Sequence, residues 1–245
     1  MITFKEAIDE IVEEKNNSSF FPVVLNLCDG DEINGAPGVS VIHYLEEKEI
    51  VYTGSDAFFY EITTSKIPMK VAFDKAGVSN APWACFKNRS DYNAEEIIKK
   101  SGTPLIVKPA VSGGSMGVGV KNVVENKEEL DDLVNELLNG YRGWNLNGDG
   151  FIAEQFITGP EYTVFISGSY DRPKEAVIYT PVERVFYESL PDKEKFLSFE
   201  RLWEIYETES PMPKEDNFYE YRIPDKDLIE DIKKISWDEI GRAHV

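Results

Sequence analysis

Histidine and cysteine are almost missing from this chain, at two residues each in 245. His43 and His244 are too few for a histidine-rich zinc site, and they nearly exclude a His-based triad. Cys28 and Cys85 stand alone, with no metal or redox spacing, which suggests a reducing compartment. Long apolar runs are also lacking. Nothing approaches the roughly 18 residues that a membrane-spanning helix needs. Positive charge is in deficit, with 26 Lys and Arg against 45 Asp and Glu and a net charge of −19. That balance excludes the basic footprint on which nucleic acid binds, and it disfavours an anionic membrane surface. The opening MITFKEAIDEIVEEK is an acidic amphipathic helix without the basic start of a leader peptide, so a cytoplasmic setting is predicted. Repeats and low-complexity tracts are absent too.

What remains is an ordinary globular composition, 42% hydrophobic and 29% charged, long enough to bury a core. Thr3 with Glu6 forms a capping box, ahead of a stripe of Phe4, Ala7, Ile8, Ile11 and Val12. PVVLNL (22–27) reads as a buried strand, a helix follows over 38–47 and a strand over 49–53, in β–α–β order. Thr64 or Ser65 can cap a helix over 66–76 that stops at Gly77. Asn93 opens a short helix closed by Gly102. Asn126 with Glu129 opens another, with Leu130, Leu133, Val134, Leu137 and Leu138 on one face and Gly140 behind it. FIAEQFI and EYTVFISG (151–168) read as two strands around a Thr158-Gly159-Pro160 turn, and EAVIYTPVERVF (175–186) as a third. From 187 to about 224 the pattern dissolves into aromatics and acids, a length of loop that tends to be functional, for instance a lid.

The most informative segment is PLIVKPAVSGGSMGVGVKNV (104–123). Leu105, Ile106 and Val107 read as a buried strand that presents Lys108 at its end. Pro109 breaks the strand, a Ser/Gly-rich loop follows, and a second strand is predicted to resume at Val118. A lysine facing small residues with uncovered amides is a phosphate cradle; the plainer alternative is a glycine-rich hairpin. The order is strand–loop–strand, without the spacing of a GxxxxGK[ST] loop or a GxGxxG fingerprint. Two calcium-loop mimics are set aside. NLNGDG (145–150) has Phe156 where the twelfth-position glutamate belongs, and DGDEING (29–35) has Ile33 and Asn34 where a ligand and a glycine belong.

Taken in order, these segments resemble the D-alanine–D-alanine ligase family of the ATP-grasp superfamily. VYTGSD (51–56) resembles the strand and turn before the ATP-grasp module, and NAPW (80–83) the linker into its small subdomain. LIVKP matches the lysine strand, SGGSMGVGV resembles the EGSSxG loop, and AEQFITGPEYTV (153–164) the hinge strand with its E-F-x-x-G-x-E turn. The resemblance runs from about residue 22 to 186. It implies an α/β chain of the α+β ATP-grasp kind. The units expected are a partial N-terminal domain over 1–62, a small subdomain over 63–150 and an incomplete large subdomain over 151–239. The tail 240–245 is expected to be non-native, since IGRAHV resembles a translated sequencing adapter.

The resemblance also implies roles. Lys66 and Lys108 would meet the α- and β-phosphates of ATP from two sides, over the loop of Gly113, Gly114 and Ser115. Gly114 stands where the family usually has a serine, and Ser115 is the remaining candidate for a catalytic hydroxyl. Glu154 would accept from the adenine amino group, and backbone groups of Gln155 and Ile157 would read the adenine edge. Phe156 or Ile157 would pack against the base, and Glu161 would accept both ribose hydroxyls. Lys193, Lys195, Arg201 and Lys214 are candidate lid cations.

The reaction implied is ligation of a small, D-alanine-like amino acid through an acylphosphate, supported by Mg²⁺. No strand carrying the family's R-x-D element, and none carrying its E-x-N metal ligands, is predicted after residue 186. Glu32 and Asn34 have the E-x-N spacing but precede the module, so this chain is expected to hold no metal ligands and to be inactive alone. The alternatives are a non-catalytic ATP-binding module, or a ligase for another amino acid or peptide. A homodimer is compatible with the resemblance.

Overall fold

A computed structural model describes residues 3–33, 35–170, 172–187, 190–211 and 219–243. Asn34, Lys214 and His244 lie outside them. Helix α1 (Phe4–Asn17) begins at the expected box. The Glu6 amide donates to Thr3 Oγ1 at 3.2 Å, and the Thr3 amide donates to Glu6 Oε2 at 2.7 Å. Strand β1 (Val23–Val24), helix α2 (Val39–Glu47) and strand β2 (Val51–Tyr52) form a parallel β–α–β unit. The predicted strand over 22–27 is corrected here. Only two of its residues join a ladder, and Leu25 and Leu27 are exposed, because the described residues place nothing over that face. Helix α3 (Ala57–Thr63) was not foreseen, although Asp56 caps it by accepting from the Phe59 amide at 2.9 Å.

Helix α4 (Lys66–Ala76) takes Ser65 as its cap and ends at Gly77, whose φ of +68° is a left-handed conformation that favours glycine. Strand β3 (Trp83–Phe86), helix α5 (Ala94–Ser101), strand β4 (Leu105–Pro109), strand β5 (Val123–Val124), helix α6 (Lys127–Asn139) and strand β6 (Phe151–Gln155) follow. They build one antiparallel sheet in the order β3-β6-β4-β5, so β6 pairs with strands N-terminal to the expected 150/151 seam. Asn93 and Asn126 cap α5 and α6 as predicted. The strand expected from Val118 is instead a 3-10 turn over 120–122 leading into β5. Asn122 enforces it: buried, it accepts from the Gly119 amide and donates to the carbonyls of Val107 and Gly117.

Strand alternation divides this sheet's two faces. Leu105 and Val107 of β4, with Phe151 and Ala153 of β6, face Ile97, Leu130, Leu133, Val134 and Leu137 of the two helices. Each leucine fully buried there contributes ~1.5–3 kcal/mol. Ile106, Lys108 and Glu154 occupy the alternate positions and face a cleft.

Beyond the turn at 158–160 lie strands β7 (Glu161–Thr163), β8 (Ile166–Ser167), β9 (Val177–Ile178) and β10 (Val182–Phe186), helix α7 (Phe199–Trp203), strand β11 (Tyr219–Arg222) and helix α8 (Lys226–Ala243). The sequence 161–168 makes two strands rather than one, and so does 175–186, which breaks ahead of Val182 at Pro181, a residue with no N–H for a ladder. β8 pairs with β9, and β10 lies between β7 and β11.

Candidate nucleotide-binding cleft

A cleft of about 760 Å³ lies against the open face of the four-stranded sheet. Its cationic wall comes from α4 and β4. Ser65 Oγ donates to Asp149 Oδ2 at 2.6 Å, and the Lys66 amide donates to Ala110 O at 2.8 Å. The first pins the start of α4 to the turn before β6, and the second to the residue after the lysine strand. Lys66 Nζ then donates to Pro109 O, Ser112 O and Ser112 Oγ at 3.0–3.1 Å. Burial, aided by the neighbouring Lys108, lowers its pKa to about 8.

Lys108 Nζ donates to Glu154 Oε1 at 2.6 Å, and Lys70 Nζ lies 2.6 Å from Glu154 Oε2. Burial alone would raise the Glu154 pKa, but Lys108 and Lys70 outweigh it and hold the carboxyl below its usual range. Lys70 escaped the sequence reading. The signal was there, since Lys66 and Lys70 are four apart and share a helix face.

Beside this wall is an apolar slot of Ile106, Val118, Phe156 and Phe196. The hinge strand edges it with carbonyls of a particular kind. The Gln155 amide donates to Pro82 O at 2.9 Å and the Phe156 amide to Pro104 O at 3.0 Å. In an antiparallel pair a residue's carbonyl points the same way as its amide. Proline has no N–H to return, so these two carbonyls face partners that cannot donate. Being neighbours, Gln155 and Phe156 aim these carbonyls at opposite strand edges, where each lacks its ladder donor, whereas the Gln155 amide, expected to read a base, is committed to Pro82. Ile157 is exposed at the rim.

Glu161 lines the far end, ion-paired to Arg184 directly opposite it on β10. Arg184 also donates to Tyr221 Oη at 3.1 Å and lies over the rings of Tyr219 and Tyr221. Its role is not legible in the sequence, where 175–186 reads as one uniform strand. Three of the four candidate lid cations fall elsewhere. Lys193 pairs with Glu125, Lys195 with Asp192 and Arg201 with Glu194, and none of the three lines the cleft.

The loop 112–118 closes the cleft, with Gly113 and Gly114 joining the lining residues Ser112 and Ser115. Ser115 Oγ donates to Leu197 O at 2.9 Å, and Trp203 Nε1 donates to Gly114 O at 2.8 Å. Gly114 has φ +54°, and a Cβ there would come within 2.9 Å of Trp203 Cζ2. The absence of a serine at this position is thus matched by an indole occupying its space. Gly114→Ser is expected to cost ~1–2 kcal/mol of stability from the φ penalty and the displaced indole. Recovery of part of that loss in Gly114→Ser/Trp203→Ala, in chemical denaturation, is the check.

The cleft carboxylates do not fit a divalent-cation site. Glu154 is held by two lysines and Glu161 by an arginine, and among the described residues no group of three or more His, Cys, Asp or Glu could hold a metal ion. No helix among them is long and apolar enough to cross a membrane. His43 lies on the surface, 3.1 Å from Glu61.

Two sheets meeting at a lysine-walled cleft under a glycine loop define an α+β ATP-grasp fold, and solved structures agree. The D-alanine–D-alanine ligase from Bacillus anthracis superposes with a TM-score of 0.62 at 19% identity, over 96% of this chain and 64% of that one. The same enzyme complexed with ATP gives 0.58 at 19% identity, over 88% and 58%. The family model described as D-ala D-ala ligase C-terminus matches residues 72–210, more than half of the chain. The chain belongs to that ligase family. The D-alanine–D-alanine ligase of Glaesserella parasuis serovar 5 (strain SH0165) is 32% identical over 121 residues, 49% of this chain and 36% of that protein. The chain thus spans about a third of the length of this curated relative.

Proposed function

We propose that the cleft binds ATP, and that the chain serves an ATP-dependent carboxylate–amine ligase acting on D-alanine-like amino acids. The observation that carries this reading is the juxtaposition in one cleft of Lys66, Lys108 and a glycine loop with an apolar slot beside a Gln155 carbonyl whose ladder partner is a proline. Lys66 and Lys108 take the α- and β-phosphates. Phe156, Ile106 and Phe196 pack the adenine, and the Gln155 carbonyl accepts from its amino group. In the reaction, a carboxylate oxygen of the first amino acid attacks the γ-phosphorus and ADP leaves. The amine of the second attacks the acyl carbon, expelling phosphate. The residues at hand contribute positioning and charge neutralisation. Mg²⁺ would support both steps, and none of the described residues is assigned to ligate it. In this reading the seam between subdomains moves from the expected 150/151 to the turn 158–160, because β6 pairs with β3 and β4.

Glu161 provides the test. Held by Arg184, its carboxylate is placed to accept ribose hydroxyls. Glu161→Ala is expected to weaken ATP and ADP about tenfold while tripolyphosphate binds no more weakly, since the sugar contact is lost and the Arg184 guanidinium it frees attracts a polyanion. Calorimetry on the three ligands decides it. Equal weakening of all three would mean that Glu161 acts through the fold, and no binding of ATP to the wild-type chain would end the nucleotide reading.

A further inference from the structure

Glu154 is a single carboxylate held by two ammonium groups, and the two are not equivalent. Lys70 is buried in the wall, with 11% of its side chain exposed, while Lys108 stands at the strand end with 27% exposed. Lys108 also faces Lys66 across the space where an anion would enter. A buried carboxylate that loses its only counter-ion is strongly disfavoured, so a lysine serving Glu154 alone could not be released to a phosphate. With Lys70 in place it can.

We propose that Lys70 is a positioning residue: the resident counter-ion of Glu154, which frees Lys108 to move onto the nucleotide's phosphates and opens Glu154 Oε1 to the adenine amino group. The inference rests on the nucleotide reading above. Lys70 itself need not touch the ligand. Its Nζ stays on Oε2 while Oε1 changes partner from Lys108 to the base.

A direct phosphate ligand and a resident counter-ion make opposite predictions once Glu154 is neutral, because glutamine holds neither lysine. Titration of the 245-residue chain with sodium tripolyphosphate and with ATP separates them. Lys70→Met is expected to weaken both about 10- to 100-fold, because Lys108 stays bound to Glu154. Lys70→Arg should stay near wild type. Glu154→Gln and the double variant Lys70→Met/Glu154→Gln should bind tripolyphosphate equally, within about threefold. Unchanged affinity in a folded Lys70→Met variant would overturn the proposal. So would a double variant weaker than Glu154→Gln by the full factor, which would make Lys70 a direct ligand. If Lys70→Met does not fold, the comparison of Glu154→Gln with the double variant decides alone. A wild-type chain that binds neither probe would overturn the nucleotide reading and this inference together.

Discussion

Lys108→Ala should remove most nucleotide binding while leaving the fold intact. The lysine is one of three that line the cleft, and it sits on the strand end nearest the glycine loop. A charge-assisted contact to phosphate is worth ~1.5–3 kcal/mol, which predicts roughly a 10- to 150-fold loss in ATP affinity. The fold should survive for a specific reason. Lys108 holds Glu154 Oε1, but Lys70 remains on Oε2, so the buried carboxylate keeps a counter-ion. The β4 ladder to β6 is made by backbone and is untouched. Calorimetry beside circular dichroism checks both halves. Raising the salt concentration should narrow the gap between wild type and variant, since the lost term is electrostatic. Unchanged ATP affinity in a folded Lys108→Ala protein would sink the assignment.

What the sequence made legible was largely local. Caps at Ser65, Asn93 and Asn126 and stops at Gly77, Gly102 and Gly140 depend on residues a turn apart, so spacing alone located α4, α5 and α6. Lys108 was legible because a lysine ending an apolar strand demands an anionic partner, though that partner turned out to be Glu154, 46 residues on. The failures share a physical cause. PVVLNL has the composition of a buried strand, but burial depends on what covers it, and Leu27 is 82% exposed. Arg184 acquires its meaning only from the register that sets it against Glu161 and Tyr221. Lys70 is legible only through its spacing from Lys66, because a helix lysine by itself normally faces solvent.

The segment 199–209 shows the same limit most sharply, since its order comes from buried charge that no periodicity records. Glu200, with 2% of its side chain exposed, accepts from the amides of Glu207, Thr208 and Glu209 at 2.7–3.2 Å. It also accepts from Thr208 Oγ1 at 3.0 Å and lies 3.4 Å from Arg142 Nη2. The carboxylate thus folds the strap 199–209 around itself. Contacts from Phe199 to Val118 and from Val120 to Glu209 then fasten that strap to the glycine loop.

Glu200→Ala leaves several amides and a guanidinium without their acceptor, and it is expected to cost ~3–5 kcal/mol. Chemical denaturation measures the loss, and hydrogen exchange should show the amides of 207–209 deprotected. The pH dependence has a definite sign. Burial would raise the Glu200 pKa, but the amides of Glu209, Glu207 and Thr208 override it and lower the pKa from 4.5 to about 2. A carboxyl with a depressed native pKa contributes its full stabilisation above about 4.5, and that contribution is lost as the pH falls toward about 2. Other carboxyls share the acid limb, so the diagnostic quantity is the difference between wild type and Glu200→Gln. That difference should be large and flat at neutral pH and shrink steadily between pH 4.5 and 2. A difference independent of pH across that window would show that Glu200 acts through its shape, and that the strap is held by something other than its charge.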